Sequence, residues 1–350
     1  MTIHSTFDMN IGDKTYIPLS DQSLAKFRNL FSELKLIILD EMSMVSSDML
    51  YKIHQRLTDI FQNSKPFGGV SIVLVGDLLQ IKPIGAFNIF AKPNNNDWKM
   101  HFEADSLWAK FEPVILKKNL RQKDLFEWTE TLGRIRWAKM NEEDIKTLKS
   151  RVIKRTDKRY PHSACHIFYT KKECKAWNET KLNKLPHQLY EIGYVGAFPK
   201  GYEARPSEKD GTIDGTPLMM NLQIKKEARV MVVMNVDVAD SIVNGSMGQV
   251  VDIVVDESNP ATVKCIVVKF DNPDAGEAQR KLYPQIAEKY KEENGTPIMR
   301  KKMEYHLPKS WSSKRHAAKG TVVQFPLKLA FALTGHKMQV SNFYHFLIEG

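Results

Sequence analysis

The chain has 350 residues, 42% hydrophobic and 26% charged, with 51 Lys+Arg against 41 Asp+Glu and a formal net charge of +10. That length predicts two or three domains, and the composition is that of an ordinary globular protein, which excludes a disordered chain. No run approaches the ~18 apolar residues of a membrane helix, no basic-then-apolar leader follows Met1, and the three cysteines Cys165, Cys174 and Cys265 are too few for a disulfide scaffold. The expectation is a protein of a reducing compartment with no membrane partner.

In chain order, Leu36-Ile-Ile-Leu39 is a short apolar run closed by Asp40-Glu41. It reads as a buried parallel strand seen at its carboxyl end. Ser46-Ser-Asp48 then caps a helical pattern through Leu50, Ile53, Leu57 and Ile60. Pro66-Phe-Gly-Gly69 breaks the chain before a second buried strand, Val70–Val75, which ends in Gly76-Asp77. Strand, helix, strand is the α/β doubly wound pattern, whose ligands sit beyond the carboxyl ends of the strands. Asp40, Glu41, Gly76 and Asp77 are therefore expected on one rim.

After Asn119 a long amphipathic helical stretch runs to about Ile153, and Cys165–Tyr169 is another short strand. Residues 228–234, 249–255 and 262–270 are β-rich, with Asn244-Gly245 a hairpin-type turn between the first two. They suggest a small β-barrel module, and residues 271–319 read as a polar, basic loop excursion. Charge is uneven along the chain: residues 117–159 carry 14 Lys+Arg against 7 Asp+Glu, and residues 277–319 carry 11 against 5. Such blocks suit a polyanion partner, or are solvated faces.

An Asp-Glu pair at a strand tip suits nucleotide hydrolysis. The aspartate can hold Mg²⁺ and the glutamate can deprotonate the attacking water. Gln80, after the second strand, can reach a γ-phosphate on the same rim. The other reading is that Asp40 and Glu41 merely cap the next helix. His162, Cys165, His166 and Cys174 have the residue types of a zinc site, but neighbouring side chains on a strand point to opposite faces, which argues against it.

Six ordered segments resemble one family. Leu39-Asp-Glu-Met-Ser-Met-Val45 looks like the Walker B box of the Pif (petite integration frequency) DNA helicases. Gly76-Asp-Leu-Leu-Gln-Ile-Lys-Pro83 is similar to their third motif and Asn119-Leu-Arg-Gln122 to their fourth. Thr2-Ile-His-Ser-Thr-Phe7 resembles the DNA-contacting segment upstream of Walker B. Arg229-Val-Met231 with Val243-Asn-Gly-Ser-Met-Gly248 looks like their barrel entry. Gln324–Ala330 with Thr334-Gly-His-Lys-Met-Gln339 looks like their fifth motif. The boxes are also similar to the helicase part of Helitron-type rolling-circle transposons.

The resemblance implies a superfamily-1B helicase that couples ATP hydrolysis to 5′-to-3′ movement on single-stranded DNA. Replication, repair, recombination, telomere maintenance or transposition are the implied settings. It implies two RecA-like lobes with an inserted SH3-like barrel. The first lobe is residues 1–120, and a basic helical connection is 121–160. The second lobe is 161–240 and 320–350, and the barrel with its basic loop is 241–319. Asp40 would bind Mg²⁺, Glu41 would be the general base, Gln80 would sense the γ-phosphate of ATP, and Arg121 would neutralise its charge. Thr2, His4, Ser5, Thr334, His336 and Lys337 would track the DNA backbone. Thr170 and Asn178 would form another strand-contacting element, and Asn244 and Gly245 would shape the barrel turn near DNA. Partners would be single-stranded DNA and DNA junctions, the state a monomer, and the location the nucleus or the mitochondrion.

Departures accompany the matches. No Gly-x-x-x-x-Gly-Lys-Ser/Thr occurs in the 350 residues, nor does the sixth motif with its arginine finger, and Gly335, Met338 and Val340 replace the usual residues of the fifth. The expectation is a chain truncated at both lobes and inactive by itself. The alternative is a catalytically dead DNA-binding remnant of a transposon-type helicase.

Overall fold

The computed structural model describes residues 2–9, 15–91, 107–118, 120, 126–161, 164–200, 202–259, 262–306, 319–338 and 346–348. The chain forms two compact units, Met1–Asp157 and Lys158–Gly350.

The first unit contains α1 (Ile3–Thr6), α2 (Asp21–Leu30), β1 (Leu36–Leu39), α3 (Ser47–Phe61), β2 (Ser71–Leu74), α4 (Phe126–Arg136) and α5 (Glu142–Ser150). β1 and β2 pair in parallel, Leu36 opposite Ser71 and Leu39 opposite Leu74, with α3 as the crossover. α3 starts where Ser46 accepts the Met49 N–H at 3.1 Å, the helix-start bond expected of a Ser at that position. Its Leu50, Ile53, Leu57 and Ile60 are buried, three of them against Phe7, Leu39, Val45 and Phe67. Each such side chain contributes roughly 1.5–3 kcal/mol on burial. Arg56 of α3 is buried as well. Its Nε donates to the Phe7 carbonyl at 3.0 Å and its Nη1 to the Tyr16 hydroxyl at 3.2 Å, while Tyr16 donates to Asp59. This network pins the segment that follows α1 onto α3.

Two expectations are corrected in this unit. The strands are not buried on both faces: Ile38 is 63% and Val73 44% exposed, because α3 and its neighbours cover only one side of the pair. The helical stretch to residue 153 is two helices. Ala138 adopts φ 53°, and Asn141 then opens α5 with a capping box to Asp144.

The second unit holds β3 (Cys165–Phe168), α6 (Lys171–Lys184), β4 (Tyr190–Gly193), β5 (Val195–Ala197), β6 (Asn221–Ile224), β7 (Arg229–Val232), β8 (Met247–Val255) and β9 (Val263–Phe270). It continues through α7 (Glu277–Leu282), α8 (Pro284–Lys289), β10 (Thr296–Ile298), β11 (Lys301–His306) and β12 (Lys319–Gln324). It closes with β13 (Leu327–Leu329), β14 (Ala332–Thr334), α9 (Gly335–Met338) and β15 (Phe346–Ile348). β3 lies between β14 and β15 in a parallel sheet, so residues far apart in sequence rejoin there. The largest sheet is antiparallel, in the order β10-β9-β8-β7-β13, over a core that includes Val230, Val232, Val250, Ile266, Val268 and Phe325.

No closed barrel is found among the described residues. The five-stranded sheet is separate from the three-stranded β11-β12-β5 and the two-stranded β4-β6 sheets. The Asn244-Gly245 turn is also not a two-residue hairpin. It closes a long connection, residues 233–246, in which Gly245 N–H donates to the Val232 carbonyl at 2.9 Å. The position 240/241 falls within this connection, so β7 and β8, assigned to different domains from sequence, share one sheet. Residues 271–306 are not a loop but carry α7, α8, β10 and β11. The helices are six residues each, broken at Tyr283-Pro284, too short to print a helical period.

Candidate functional site

The rim of the first unit is built by β1 and β2. Val75 N–H donates to the Leu39 carbonyl at 2.8 Å and Met42 N–H to the Val75 carbonyl at 2.9 Å, which fixes the two strand tips side by side. Asp40 is exposed, and its Oδ1 accepts the Glu41 N–H at 2.8 Å. Glu41 adopts φ 53°, ψ 47°. A left-handed backbone at a non-glycine residue is strained and turns the carboxylate off the strand direction onto the rim. Gly76 permits this approach: at φ 144°, a Cβ there would lie 2.8 Å from the Met42 nitrogen. Asp77 Oδ1 accepts the Leu79 N–H at 3.0 Å and the Arg136 Nη2 at 2.6 Å. Gln80, exposed, hangs from the same turn, its N–H on the Asp77 carbonyl at 3.0 Å. Exposed carboxylate oxygens are hard donors that fit Mg²⁺. Arg121 lies outside the described residues.

Thr2 is exposed, and its carbonyl accepts the Thr6 N–H at 2.9 Å as α1 begins. His4 and Ser5 lie on α1, and burial, with the charge of Lys52, lowers His4 below its ordinary value.

In the second unit the predicted residues divide into three kinds. Thr170 and Asn178 are spent on the protein's own backbone. Thr170 accepts the Glu173 N–H at 3.2 Å in a capping box that starts α6. Asn178 is buried and bonds both backbone groups of Ala332, at 3.1 and 2.8 Å. Asn244 and Lys337, 93 residues apart, meet: Lys337 Nζ donates to Asn244 Oδ1 at 3.2 Å. Gly245 has φ 103° and open space around it. His336 is exposed on α9. Thr334 and Lys337 line a cavity of about 540 Å³ together with Asn178, Lys171 and Lys328.

Sequence reasoning missed Lys171, Lys328 and Asp210. Lys171 Nζ pairs with Asp210 Oδ2 at 2.7 Å. Burial raises Asp210, but the bonds from Lys171 and Thr212 outweigh it and hold the carboxyl at about 2. Burial and the neighbouring Lys337 charge push Lys328 down to about 8. The available signal was a lysine between two leucines in a β-run, Leu327-Lys-Leu329, of which Leu327 is buried and Leu329 half-buried.

Of the zinc-type residues, His166 is buried with its ring centroid 4.3 Å from that of Trp177 and its Nε2 3.5 Å from the Tyr160 hydroxyl. Cys165 packs with Met231, Met247 and Leu333, and its thiol is pushed up to about 12 by burial. His162 lies outside the described residues.

A parallel strand pair joined by a helix, with carboxylates at the strand tips, is the α/β pattern whose ligands sit beyond the carboxyl ends of the strands. Residues 1–140 match the model of the PIF1-like helicase family. The chain is 31% identical over 257 residues to the ATP-dependent DNA helicase RRM3 of Saccharomyces cerevisiae, an alignment covering 71% of this chain and 33% of that protein. It is 27% identical over 368 residues to the ATP-dependent DNA helicase PIF1 of Emericella nidulans, covering 97% of this chain and 47% of that one. Its fold matches that of the crystal structure of Bacteroides Pif1 bound to ssDNA with a TM-score of 0.64, at 24% identity, over 99% of this chain and 72% of that one. The chain belongs to the PIF1-like helicase family. It spans between a third and a half of the length of these two relatives.

Proposed function

We propose that the chain serves ATP-driven, 5′-to-3′ movement along single-stranded DNA. The observation that carries this reading is the rim, where Asp40, the strained Glu41 and the Asp77–Gln80 turn converge at the tips of β1 and β2. Bound there, Mg²⁺ supplies Lewis-acid charge to the phosphates of ATP, and Asp40 is the residue that holds it. Glu41 accepts the proton of the attacking water, Gln80 orients the γ-phosphate, and Arg121 offsets transition-state charge. Thr2, His4, Ser5, Thr334, His336, Lys337, Asn244 and Gly245 face the strand, while Thr170 and Asn178 hold α6 and β14 in place for it. The SH3-like module, residues 241–319, belongs to the same reading. DNA junctions, magnesium, a monomeric state and a nuclear location belong to the same proposal.

Two measurements test it. Fluorescence anisotropy with an oligo-dT strand is expected to show binding that weakens steeply with salt and ignores sequence. Absence of binding at low salt overturns the DNA part. For catalysis, the chain is joined behind a phosphate-loop segment and phosphate release is followed with Glu41→Gln. The amide keeps the side chain's reach but cannot take the proton, so turnover is expected to fall at least ~100-fold with ATP binding retained. Near-unchanged turnover moves the base elsewhere.

A further inference from the structure

Lys328 of β13 is half-buried and lines the cavity of about 540 Å³ formed by α6, β13, β14, α9 and residues 206–223. Among the described residues its ammonium makes no hydrogen bond and no ion pair. Every other charged side chain that lines the cavity has a partner. Lys171 meets Asp210 at 2.7 Å, Lys175 meets Glu179 at 3.9 Å, and Lys337 donates to Asn244 at 3.2 Å. Leu222, Val233 and Leu329 supply apolar wall. Burial acts first on Lys328 and the charge of Lys337 second. Lys171 acts in the same direction, Asp210 and Cys174 oppose them, and the amine is pushed down to about 8.

A desolvated lysine beside another cation is the arrangement that makes an amine a nucleophile near neutral pH. At pH 7.5 roughly a quarter of such amines are neutral, against about one in a thousand for an ordinary lysine. Cys174 lines the same cavity, but burial raises its thiol, and a protonated thiol is a poor nucleophile. We propose that Lys328 is a site of direct acylation by small acyl thioesters, which enter the cavity and react with its unpartnered amine. The amine lone pair attacks the thioester carbonyl and the C–N bond of an amide forms. The C–S bond breaks, and the thiolate leaves with the proton that the nitrogen gives up. The amide is neutral, so the product removes the charge that the fold holds in the cavity without a partner. Acylation therefore carries a second signature, a more stable second unit.

The test treats the full 350-residue chain with S-acetyl-N-acetylcysteamine, a small uncharged thioester, and locates the amides by peptide mapping in the mass spectrometer. At pH 7.5 the Lys328 amide is expected to form at least about fivefold faster than the amides of the exposed Lys172 and Lys209. Its rate should level off above about pH 8, while those two keep rising toward pH 10. Lys337→Met removes a positive neighbour and should move that plateau to higher pH. In guanidinium chloride, where the cavity is gone, the preference should vanish. The acylated chain should melt at a higher temperature than the untreated one, and Lys328→Arg treated in the same way should show no such gain. A Lys328 amide that forms no faster than the other two at pH 7.5 overturns the proposal. So does a rate that climbs with pH in step with theirs, and so does a preference that survives unfolding, which would place its cause in the local sequence.

Discussion

Asn178 holds Ala332 by both of its backbone groups: Nδ2 donates to the carbonyl at 3.1 Å and Oδ1 accepts the N–H at 2.8 Å. The pair ties α6 to the first residue of β14, and β14 carries Thr334 into α9 and Lys337. A side chain that sequence reasoning sends to DNA thus sets the position of two others that line the lysine cavity.

Asn178→Ala is therefore expected to act through structure. It leaves a buried N–H and carbonyl without their partners, at a cost of about 2–4 kcal/mol. Urea unfolding of the second unit should shift by that amount. Any loss of DNA affinity should be recovered by conditions that restore folding, such as added osmolyte. A variant of unchanged stability with lost DNA binding returns Asn178 to direct contact.

Two glycines with positive φ separate backbone strain from collision. Gly76 (φ 144°) faces the Met42 nitrogen, 2.8 Å from where a Cβ would sit, whereas Gly245 (φ 103°) has nothing within 4 Å. Gly245→Ala is expected to cost about 1 kcal/mol, the backbone preference alone. Gly76→Ala adds a clash at the rim and should cost about 2–4 kcal/mol. Chemical denaturation of the two variants measures the difference, and equal costs would mean the rim yields without resistance.

Elements whose causes are local were legible in the sequence. β1 was read to the residue, and α3 was read from Ser46 and its 3-to-4 spacing, because cap and core face lie within one segment. Elements whose causes are distant were not. The start of α7 is held by Asp240, whose carboxylate accepts the Ala278 and Gln279 N–H groups at 2.8 and 2.9 Å. No window around residue 277 contains that partner. The same holds at the site. Asp40, Glu41 and Gln80 announce themselves at strand ends, but the lysine cavity assembles α6, β13, α9 and the loop of Asp210, which only the fold brings together.

His54 gives the first unit a pH dependence of calculable sign. It is buried, and its Nδ1 accepts the Phe67 N–H at 2.9 Å, a bond only the neutral ring can make. Burial lowers it below 6.5. The unfolded chain therefore binds more protons below pH 6.5, so stability is full above that value and declines as pH falls through the folded value. His4, lowered in the same direction, adds to the effect. His54→Asn, whose Oδ1 can accept the same N–H, should flatten part of the decline in the acid window below pH 6.5. Thermal melts across that window measure it, and an unchanged slope would remove His54 as a source.

Lys328 works in the opposite part of the scale. Its folded value is about 8, from burial first and then Lys337, against 10.5 for an ordinary lysine. Below pH 8 the lysine is charged in both states, and the full cost of holding that charge in the cavity falls on the native one. Between about pH 8 and 10.5 the unfolded chain keeps a proton that the folded one has released, so stability rises with pH. The span of the rise is on the order of 3 kcal/mol. Lys328→Met removes the group and should abolish this rise while leaving the variant more stable than wild type near neutral pH. The difference in unfolding free energy between the two chains, followed by urea titration at stepped pH, should shrink steadily over that window. Methionine packing shifts the whole curve but not its slope, so the slope is the deciding quantity. A difference that stays constant with pH would mean that the cavity holds its lysine charge at no cost to the fold.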